Sequence, residues 1–370
     1  MEAESVAKKQ IPVIVLAGFL GSGKTTMLNH LLRNSRGNRI GAVVNDFGSV
    51  GIDAMTVAGQ VDAMVSLGNG CLCCAVDTSD LDGILDRLAR PAARLDAIVI
   101  EASGLAEPET MVRMILSSTN RHIVYGGLIE VVDAAEFADT RARHPEIDRH
   151  LGVADLVVLN KTDRIDAEEQ QRLLGLLAEL GPGRPVVAAS HGRLDPELLF
   201  ERRAEREEAV RQLSFDELCS ADDEHGEHLH AAYDSVAFSS PGPLDPRRFM
   251  EFLDSRPKGL YRIKGFVHFG VDGHRQKFSL HAVGDFLRFH PSPWARGERR
   301  TTHLVLIGSG IDAEALRRDL AACVRTERDE AGPDATGADA TGADDTAPDD
   351  TGADDTGPRS MWGVLRYVQE

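Results

Sequence analysis

Long apolar runs and clusters of positive charge are both missing from this chain of 370 residues. A membrane-spanning helix needs about 18 or more consecutive apolar residues, and no such run occurs, so we expect no membrane partner. No Lys- or Arg-rich run occurs either, and the formal net charge is -18, which argues against a nucleic acid partner. Of five cysteines, three lie within four positions, and the set lacks the pattern of a disulfide framework, which favours the reducing cytoplasm.

A small-residue cleavage pattern is also missing after the first apolar run, residues 11–20. The run therefore lacks the form of a signal peptide, and it leads directly into a glycine-rich turn. We interpret it as the first strand of a globular domain. A chain of this length is long enough for two domains with separate cores.

The stretch 13–26, VIVLAGFLGSGKTT, joins this strand to the start of a helical pattern. It contains the phosphate-binding P-loop motif G-x-x-x-x-G-K-[ST], which points backbone N–H groups, a helix N-terminus and a lysine at a triphosphate. The motif threonine is the expected Mg²⁺ ligand. The residues expected to contact the nucleotide are Gly18, Gly21, Ser22, Gly23, Lys24, Thr25 and Thr26. The alternative is a glycine-rich turn that binds nothing.

A strand pattern at residues 96–101, DAIVIE, ends in the carboxylate of Glu101 and is followed by Ala102, Ser103 and Gly104. Beside a P-loop, a strand that ends in an acid is typical of a Walker B element, whose acid polarises a water or holds the Mg²⁺ shell. We therefore predict a catalytic and Mg²⁺-binding role for Glu101, with the backbone N–H of Gly104 close to the γ-phosphate. Without the P-loop, this segment would be an ordinary strand end.

A glycine-punctuated loop, Asn45-Asp46-Phe47-Gly48, follows the apolar strand pattern of residues 39–45. In a nucleotide switch protein a loop at this place senses the γ-phosphate or its metal, and Asp46 is then a candidate catalytic residue. The alternative is a surface turn that uses Asp and Gly for their turn geometry.

The motif Asn160-Lys161-Thr162-Asp163 follows the apolar strand pattern of residues 154–159 and resembles the guanine-specificity loop of GTPases. The carboxylate of Asp163 can accept hydrogen bonds from guanine N1–H and from the exocyclic amine, which adenine does not offer in that arrangement. A buried carboxylate that faces adenine would stay unpaired, so the site discriminates between the bases. We predict that Asn160, Lys161 and Asp163 bind GTP.

Three cysteines lie close together in Gly70-Cys71-Leu72-Cys73-Cys74. The thiols of Cys71, Cys73 and Cys74 can present soft ligands to Zn²⁺ or another thiophilic metal. Three thiolates leave one tetrahedral position open, which suits a metal carrier better than a structural zinc site. The alternative is a set of small residues that fills a turn.

A second group of metal-ligand residue types occurs in residues 222–230, where His225, His228 and His230 lie among four acids. These imidazoles could bind Zn²⁺, Co²⁺ or Ni²⁺ weakly, or the stretch could be a solvated polar linker. Residues 329–358 contain ten carboxylates, no Lys or Arg and an imperfect five-residue repeat, so we expect disorder there. The apolar stretch 360–369 is expected to dock back as a short strand or helix, or to bind another molecule.

Apolar strands alternate with helical segments in the first half, which predicts an α/β fold with a mainly parallel sheet. The pattern from residue 233 predicts a smaller α+β domain with an antiparallel sheet, and we interpret it as a partner-contact or regulatory module. The predicted division is an N-terminal extension (1–10), a P-loop GTPase domain (11–200), a charged, His-containing linker (201–231), the α+β domain (232–326) and an acidic tail (327–370).

The order of these motifs resembles the CobW family of P-loop GTPases, which are related to the UreG and HypB nickel-insertion GTPases. The resemblance covers about residues 11–323 and rests on GFLGSGKTT, NDFG, GCLCC, EASG and NKTD, and on RIKG, HAVG and HLVLIG in the second half. It implies a cytoplasmic GTPase that binds Zn²⁺ or a related divalent metal such as Co²⁺ and delivers it to a client metalloprotein. In the family the second motif is commonly NEFGE, whereas Asp46 and Ser49 stand at its acidic positions here.

Together these features suggest that GTP binding orders the loops that carry Asp46 and the three thiols, and that hydrolysis relaxes them and releases the metal. Two other functions remain open at this point. A GTP-dependent regulatory switch without metal traffic would keep the nucleotide residues and use the cysteines for packing. A P-loop small-molecule kinase would share Lys24 and Thr25 but has no evident use for NKTD or for C-x-C-C. The sequence predicts no oligomeric state.

Overall fold

The computed structural model describes residues 10–45, 63–67, 78–104, 107–200, 233–325 and 358–368. Within these ranges the chain forms two sheets, each of which has its own covering helices and apolar core. None of the described helices is both long and apolar enough to cross a membrane.

The first sheet has seven described strands, and each pairs with its neighbours in parallel. The strands are β1 (Ile11–Ala17), β2 (Ile40–Asn45), β3 (Ala63–Leu67), β4 (Ala97–Glu101), β5 (Ile123–Asp133), β6 (Leu156–Asn160) and β7 (Val186–Ala188). Their spatial order is β3-β2-β4-β1-β5-β6-β7, so β1 lies between β4 and β5. The predicted α/β class is therefore confirmed.

Helices on both faces of this sheet explain its uninterrupted apolar strands. The described helices are α1 (Lys24–Arg33), α2 (Thr78–Leu88), α3 (Pro108–Ser117), α4 (Phe137–Arg143), α5 (Ile147–Val153) and α6 (Ala167–Leu180). Successive side chains of a strand point to opposite faces, so β1 contributes to two cores. Ile14 and Leu16 share one core with α1, whereas Val13 and Val15 share the other with α2 and α3. Burial on both faces requires apolar residues at every position.

The parallel arrangement places the carboxyl ends of β1, β2, β4, β5 and β6 at one edge of the sheet. In register, Leu16 of β1 pairs with Glu101 of β4, and Ala17 pairs with Glu130 of β5. The loops that follow these strands therefore meet at this edge, which is where ligands bind in open α/β sheets.

The second sheet is antiparallel, and its five described strands follow the order β11-β10-β9-β12-β8. The strands are β8 (Asp234–Ser240), β9 (Leu260–Val267), β10 (Lys277–Val283), β11 (Phe286–Ser292) and β12 (Thr302–Gly308). Three helices contribute to its core, namely α7 (Pro246–Asp254), α8 (Ala313–Ala322) and α9 (Trp362–Leu365). This agrees with the α+β domain that the sequence predicts.

The apolar segment near the end of the chain docks onto the second sheet as a short helix, one of the outcomes left open above. Met361 and Val364 are fully buried in the core of this domain. The backbone N–H of Phe289 in β11 donates to the carbonyl oxygen of Tyr367, 2.9 Å away. Residues 326–357, which include the acidic repeat, lie outside the described ranges.

The two sheets contact each other directly. The buried guanidinium of Arg262 in β9 donates hydrogen bonds from Nη1 to the carbonyl oxygens of Leu198 and Leu199. The ring nitrogen Nε2 of His281 in β10 lies 2.9 Å from the carbonyl oxygen of Tyr125 in β5. Tyr261 extends the apolar core of the first sheet into the second domain.

A buried carboxylate lies at this junction. Asp155 accepts hydrogen bonds from the hydroxyl of Tyr125 at 2.5 Å and from the backbone N–H of Leu128 at 2.9 Å. A Cβ atom added to Gly284, in the turn between β10 and β11, would lie 1.7 Å from Asp155 Oδ1. Burial raises the pKa of Asp155 to about 6, and these two hydrogen bonds oppose the rise.

The residues on both sides of segment 201–232 are held in place, although the segment itself lies outside the described ranges. On one side, Leu199 is bonded to Arg262 as described above. On the other side, the hydroxyl of Tyr233 donates to Asp195 Oδ2 at 2.9 Å. The other oxygen of Asp195 accepts from the backbone N–H of Glu197 and so caps the short turn that leads to Leu199.

Candidate nucleotide-binding site

Two glycines of the phosphate-binding loop lie so close to neighbouring strands that no side chain fits at their positions. Gly18 has φ +140°, and a Cβ atom added there would lie 2.3 Å from the carbonyl oxygen of Val131 in β5. Gly23 has φ +101° and caps the N-terminus of α1, and a Cβ atom added there would lie 2.4 Å from Asn160 Nδ2. A side chain at Gly18 would collide with β5, and one at Gly23 would collide with the end of β6.

The side chain of Lys24 extends into this loop, and its ammonium contacts the loop backbone. Nζ donates hydrogen bonds to the carbonyl oxygens of Gly18 at 2.8 Å and Phe19 at 3.1 Å. The side chain is almost completely buried, at 7% exposure. A positive charge held inside a ring of backbone groups at a helix N-terminus is suited to the outer phosphates of a nucleotide.

Thr25 and Glu101 meet at the carboxyl ends of β1 and β4. The hydroxyl Oγ1 of Thr25 donates to Glu101 Oε1 at 2.6 Å, and the carboxylate is buried. A hydroxyl and a carboxylate at this distance fit Mg²⁺, which prefers hard oxygen ligands. Gly104 lies against the loop, since a Cβ atom added there would be 2.7 Å from the backbone nitrogen of Leu20. This places the predicted Walker B residues beside the P-loop.

Asn160, at the end of β6, connects the P-loop to the loop after β7. Its Nδ2 donates to the carbonyl oxygen of Ser22 at 2.9 Å, and its Oδ1 accepts from the backbone N–H of Gly192 at 3.0 Å. The side chain is buried at the end of β6. The amide therefore fixes the P-loop against the loop after β7.

Lys161 and Asp163, in the segment after β6, contact different groups. Nζ of Lys161 donates to the carbonyl oxygen of Gly21 at 2.6 Å and to Asp133 Oδ2 at 2.7 Å. The carboxylate of Asp163 is 32% exposed and stands 3.8 Å from Nε2 of His191. The lysine stem thus covers the P-loop, while the aspartate remains accessible to a base.

Seven of the predicted site residues lie outside the described ranges: Asp46, Cys71, Cys73, Cys74, His225, His228 and His230. The strands that precede two of these motifs are described. β2 ends at Asn45, and its register partner Leu67 ends β3 at the same edge of the sheet as Glu101. Asp46 therefore follows directly after the end of β2, and Cys71 follows four residues after the end of β3, both at the edge of the sheet that contains Glu101.

The described residues contain no group of three or more His, Cys, Asp or Glu side chains that could hold a metal ion. Cys323 is the one cysteine within the described ranges, and it is buried in the second domain. Its thiol donates to the carbonyl oxygen of Asp319 at 3.3 Å, and burial raises its pKa to about 11. Cys323 is therefore a packing residue in thiol form.

Two acidic residues of β5 belong to the site but escape motif analysis. Asp133 accepts a hydrogen bond from Lys161. Glu130 is buried next to β1, and burial raises its pKa to about 8, although the charge of Lys24 opposes the rise. The available signal was a glutamate inside an otherwise apolar run, GGLIEVVD. Such a residue violates the pattern of a buried strand and deserves a functional explanation.

Two family profiles match the chain. The profile of the CobW/HypB/UreG nucleotide-binding domain matches residues 12–188. The profile of the cobalamin synthesis protein cobW C-terminal domain matches residues 233–324.

Individual relatives match across both domains. A zinc chaperone CobW from a Sinorhizobium species is 31% identical over 351 residues, which cover 85% of this chain and 98% of the relative. A zinc chaperone CobW from Pseudomonas aeruginosa is 33% identical, with 84% and 91% of the two chains covered. Among solved structures, the Zn(II)-bound YjiA GTPase from Escherichia coli is 23% identical and covers 86% of this chain and all of its own, with a TM-score of 0.41.

Proposed function

Because the chain belongs to the CobW family of P-loop GTPases, we propose that it couples GTP binding and hydrolysis to the capture of a divalent transition metal and its delivery to a client protein. The proposed metal is Zn²⁺, since the relatives at 31% and 33% identity are zinc chaperones, and Co²⁺ is the related alternative. The client is a metalloprotein that accepts this metal.

One observation carries the nucleotide part of the proposal. The P-loop is bonded both to the Walker B strand, through Thr25 and Glu101 at 2.6 Å, and to the base-recognition loop, through Lys161 and Gly21 at 2.6 Å. Groups suited to phosphate, to Mg²⁺ and to guanine are therefore held at one edge by direct contacts. A kinase would need these groups plus an acceptor site, whereas hydrolysis needs only water.

Each residue has a defined role in this proposal. Lys24 leaves the carbonyl oxygens of the loop and binds the outer phosphates, where its charge stabilises the transition state. Asp163 accepts hydrogen bonds from guanine, and Gly104 donates its N–H near the γ-phosphate. Thr25 and Glu101 would hold Mg²⁺, which neutralises phosphate charge when bound, and Glu101 also orients the attacking water together with Asp46.

The metal is a cargo in this proposal, with Cys71, Cys73 and Cys74 as its ligands. The segment with these residues follows β3, which pairs with the strand before Asp46. A change in nucleotide state near Asp46 would therefore act on the start of the cysteine segment through a shared sheet edge. His225, His228 and His230 are proposed as weaker, auxiliary metal ligands.

Titration of each ligand in the presence and absence of the other tests the coupling. The factor by which a non-hydrolysable GTP analogue tightens Zn²⁺ binding must equal the factor by which Zn²⁺ tightens binding of the analogue. We expect a factor of about 5 to 150 in the whole chain, and no effect after C71S, C73S and C74S are combined. Cys323→Ser is the matched control, because its thiol is buried in the second domain.

Identical affinities in both arms would contradict metal coupling and favour a GTP-dependent switch without metal traffic. Phosphate transfer to a metabolite, in place of release of inorganic phosphate, would favour a kinase. Retention of cellular function by the triple cysteine variant would also contradict the cargo role.

A further inference from the structure

Glu130 lies directly behind the phosphate-binding loop. It is the register partner of Ala17, the last residue of β1, and its side chain is 2% exposed. The next residue, Val131, supplies the carbonyl oxygen against which Gly18 packs. The loop that carries Lys24 therefore rests on the part of β5 that contains this glutamate.

No hydrogen bond reaches the carboxyl group of Glu130 from any described residue, and its buried Oε2 has no partner. A buried carboxylate without hydrogen-bond donors is strongly unfavourable, so the group retains its proton well above the usual range. Burial raises the pKa of Glu130 to about 8, and the positive charge of Lys24 is the influence that lowers it. The carboxyl and the ammonium therefore interact through charge, without a direct bond.

A cavity of about 310 Å³ connects Glu130 with solvent. It lies among the P-loop, β5, α4, α5 and the turn Thr162–Arg164 that follows β6. The other charged residues that line it are Asp133, Glu136, Arg143, Lys161 and Arg164. Solvent access through this cavity allows Glu130 to exchange its proton.

These neighbouring charges are engaged with other groups. Lys161 bonds Asp133 at 2.7 Å, and Arg164 lies 3.9 Å from Asp133 and 3.8 Å from Glu136. Arg143 donates from Nε to the carbonyl oxygen of Asp139 at 3.2 Å. Lys24 is the charged group that lowers the pKa of Glu130.

We propose that Glu130 is a positioning residue that acts through Lys24, and that binding of a guanine nucleotide at the P-loop is coupled to uptake of one proton by Glu130. The inference rests on the proposed function, because it requires that this loop binds GTP or GDP. The proton passes from solvent to a carboxylate oxygen on binding and returns to solvent on release. In its neutral form Glu130 does not compete with the phosphates for the positive charge of Lys24.

The direction of the coupling follows from charge. Nucleotide phosphates bring several negative charges next to Lys24, and these disfavour an ionised carboxylate on the other side of the loop. Below about pH 7 Glu130 holds its proton in both states, so affinity is insensitive to this group. As pH rises through 8, the free protein loses the proton and the bound protein keeps it, so wild-type affinity falls.

The test compares the pH dependence of MgGDP binding to the full chain for the wild type, Glu130→Gln and Glu136→Gln. At pH 6.5 we expect equal affinities within about twofold. At pH 9 we expect Glu130→Gln, which is permanently neutral, to bind about five- to tenfold more tightly than the wild type. Glu136 lines the same cavity but is half-exposed, so Glu136→Gln should follow the wild type.

Parallel pH profiles for wild type and Glu130→Gln overturn the inference, because a purely structural glutamate would change stability and leave the profile unchanged. Calorimetry of the wild type at pH 8.5, in buffers of different ionisation enthalpy, provides a second measurement that needs no variant. It should report uptake of about 0.5 to 1 proton per bound MgGDP. Binding without proton uptake overturns this inference alone, whereas absence of nucleotide binding overturns the proposed function as well.

Discussion

The side-chain amide of Asn160 donates a hydrogen bond to the carbonyl oxygen of Ser22, 2.9 Å away and 138 residues earlier in the chain. Its other atom, Oδ1, accepts from the backbone of Gly192. The P-loop and the loop after β7 are thus joined by a single buried side chain. An accurate distance between the two loops is what a nucleotide that spans both of them requires.

Asn160→Asp should separate these loops. The substitution replaces the Nδ2 donor with a second oxygen, so two acceptors face each other at Ser22. We expect the free energy of unfolding to fall by about 2 to 3 kcal/mol and nucleotide affinity to fall at least about tenfold. Urea unfolding and fluorescence titration of a labelled GDP check this. Asn120→Asp, at an exposed amide that bonds Asp86, is the control and should leave nucleotide affinity unchanged.

Asp163→Asn should change base selectivity. The new amide offers a donor where guanine presents its N1–H and amine, so GTP affinity should fall about 100-fold or more. Xanthine carries a carbonyl oxygen in place of that amine, and xanthosine triphosphate should therefore gain affinity. Competition binding with the two nucleotides measures the switch. Glu168→Gln, on the exposed side of α6, should alter neither affinity, and an unchanged GTP preference in Asp163→Asn would contradict the assignment.

Thr25→Ala and Thr25→Ser should differ in hydrolysis. The hydroxyl that bonds Glu101 at 2.6 Å is absent from alanine and present in serine. We expect Thr25→Ala to lower the Mg²⁺-dependent rate about 100-fold or more, and Thr25→Ser to stay within about fivefold of the wild type. Phosphate release at saturating GTP gives the rates. Equal activity of the two variants would rule out a role for this hydroxyl.

Asp155 should make stability depend on pH. Its folded pKa of about 6 lies above the ordinary aspartate value of 3.8, so the native state binds the proton more tightly than the unfolded state does. The stability that this proton contributes is present at low pH and is lost as pH rises from about 4 through 6. Relative to Asp155→Asn, the wild type should therefore lose about 2 kcal/mol between pH 4.5 and 7 in urea unfolding. A constant difference between the two proteins would contradict this.

Gly284→Ala should disrupt the contact between the domains. The added Cβ atom would collide with Asp155, and the residue has φ +52°. We expect a loss of about 2 to 4 kcal/mol in the free energy of unfolding. Gly273→Ala is the matched control, since this turn glycine has φ +82° with no atom near the new Cβ, and should cost about 1 kcal/mol. Equal losses would show that backbone strain alone is responsible.

The sequence predicts the parallel sheet well because strands that are buried on both faces have a simple pattern, a short apolar run that ends in a polar residue. The runs that end near Glu101 and Asn160 are strands in the structure, and their carboxyl ends meet beside the P-loop, as the predicted fold class requires. The motifs predicted where these strands end, since each motif follows directly after an apolar run.

Contacts between distant segments were beyond sequence reasoning. Nothing near Asn160 indicates that its amide bonds Ser22, and nothing near Arg262 indicates that it is buried against the carbonyl oxygens of another domain. Glu130 had a visible signal, but only the register with Ala17 shows that it lies behind the phosphate loop. These relationships depend on which strands are neighbours, which a single sequence does not specify.

The bonds at Arg262 and Tyr233 have a consequence for how this chain can vary. Arg262 holds the backbone at Leu199, and Tyr233 is bonded to Asp195, so both ends of segment 201–232 are attached to the same short turn. A segment whose entry and exit are fastened at neighbouring points can be lengthened, shortened or enriched in histidine without moving either sheet, at a small entropic cost per added residue. Its length and composition can therefore vary while the two sheets keep their relative positions.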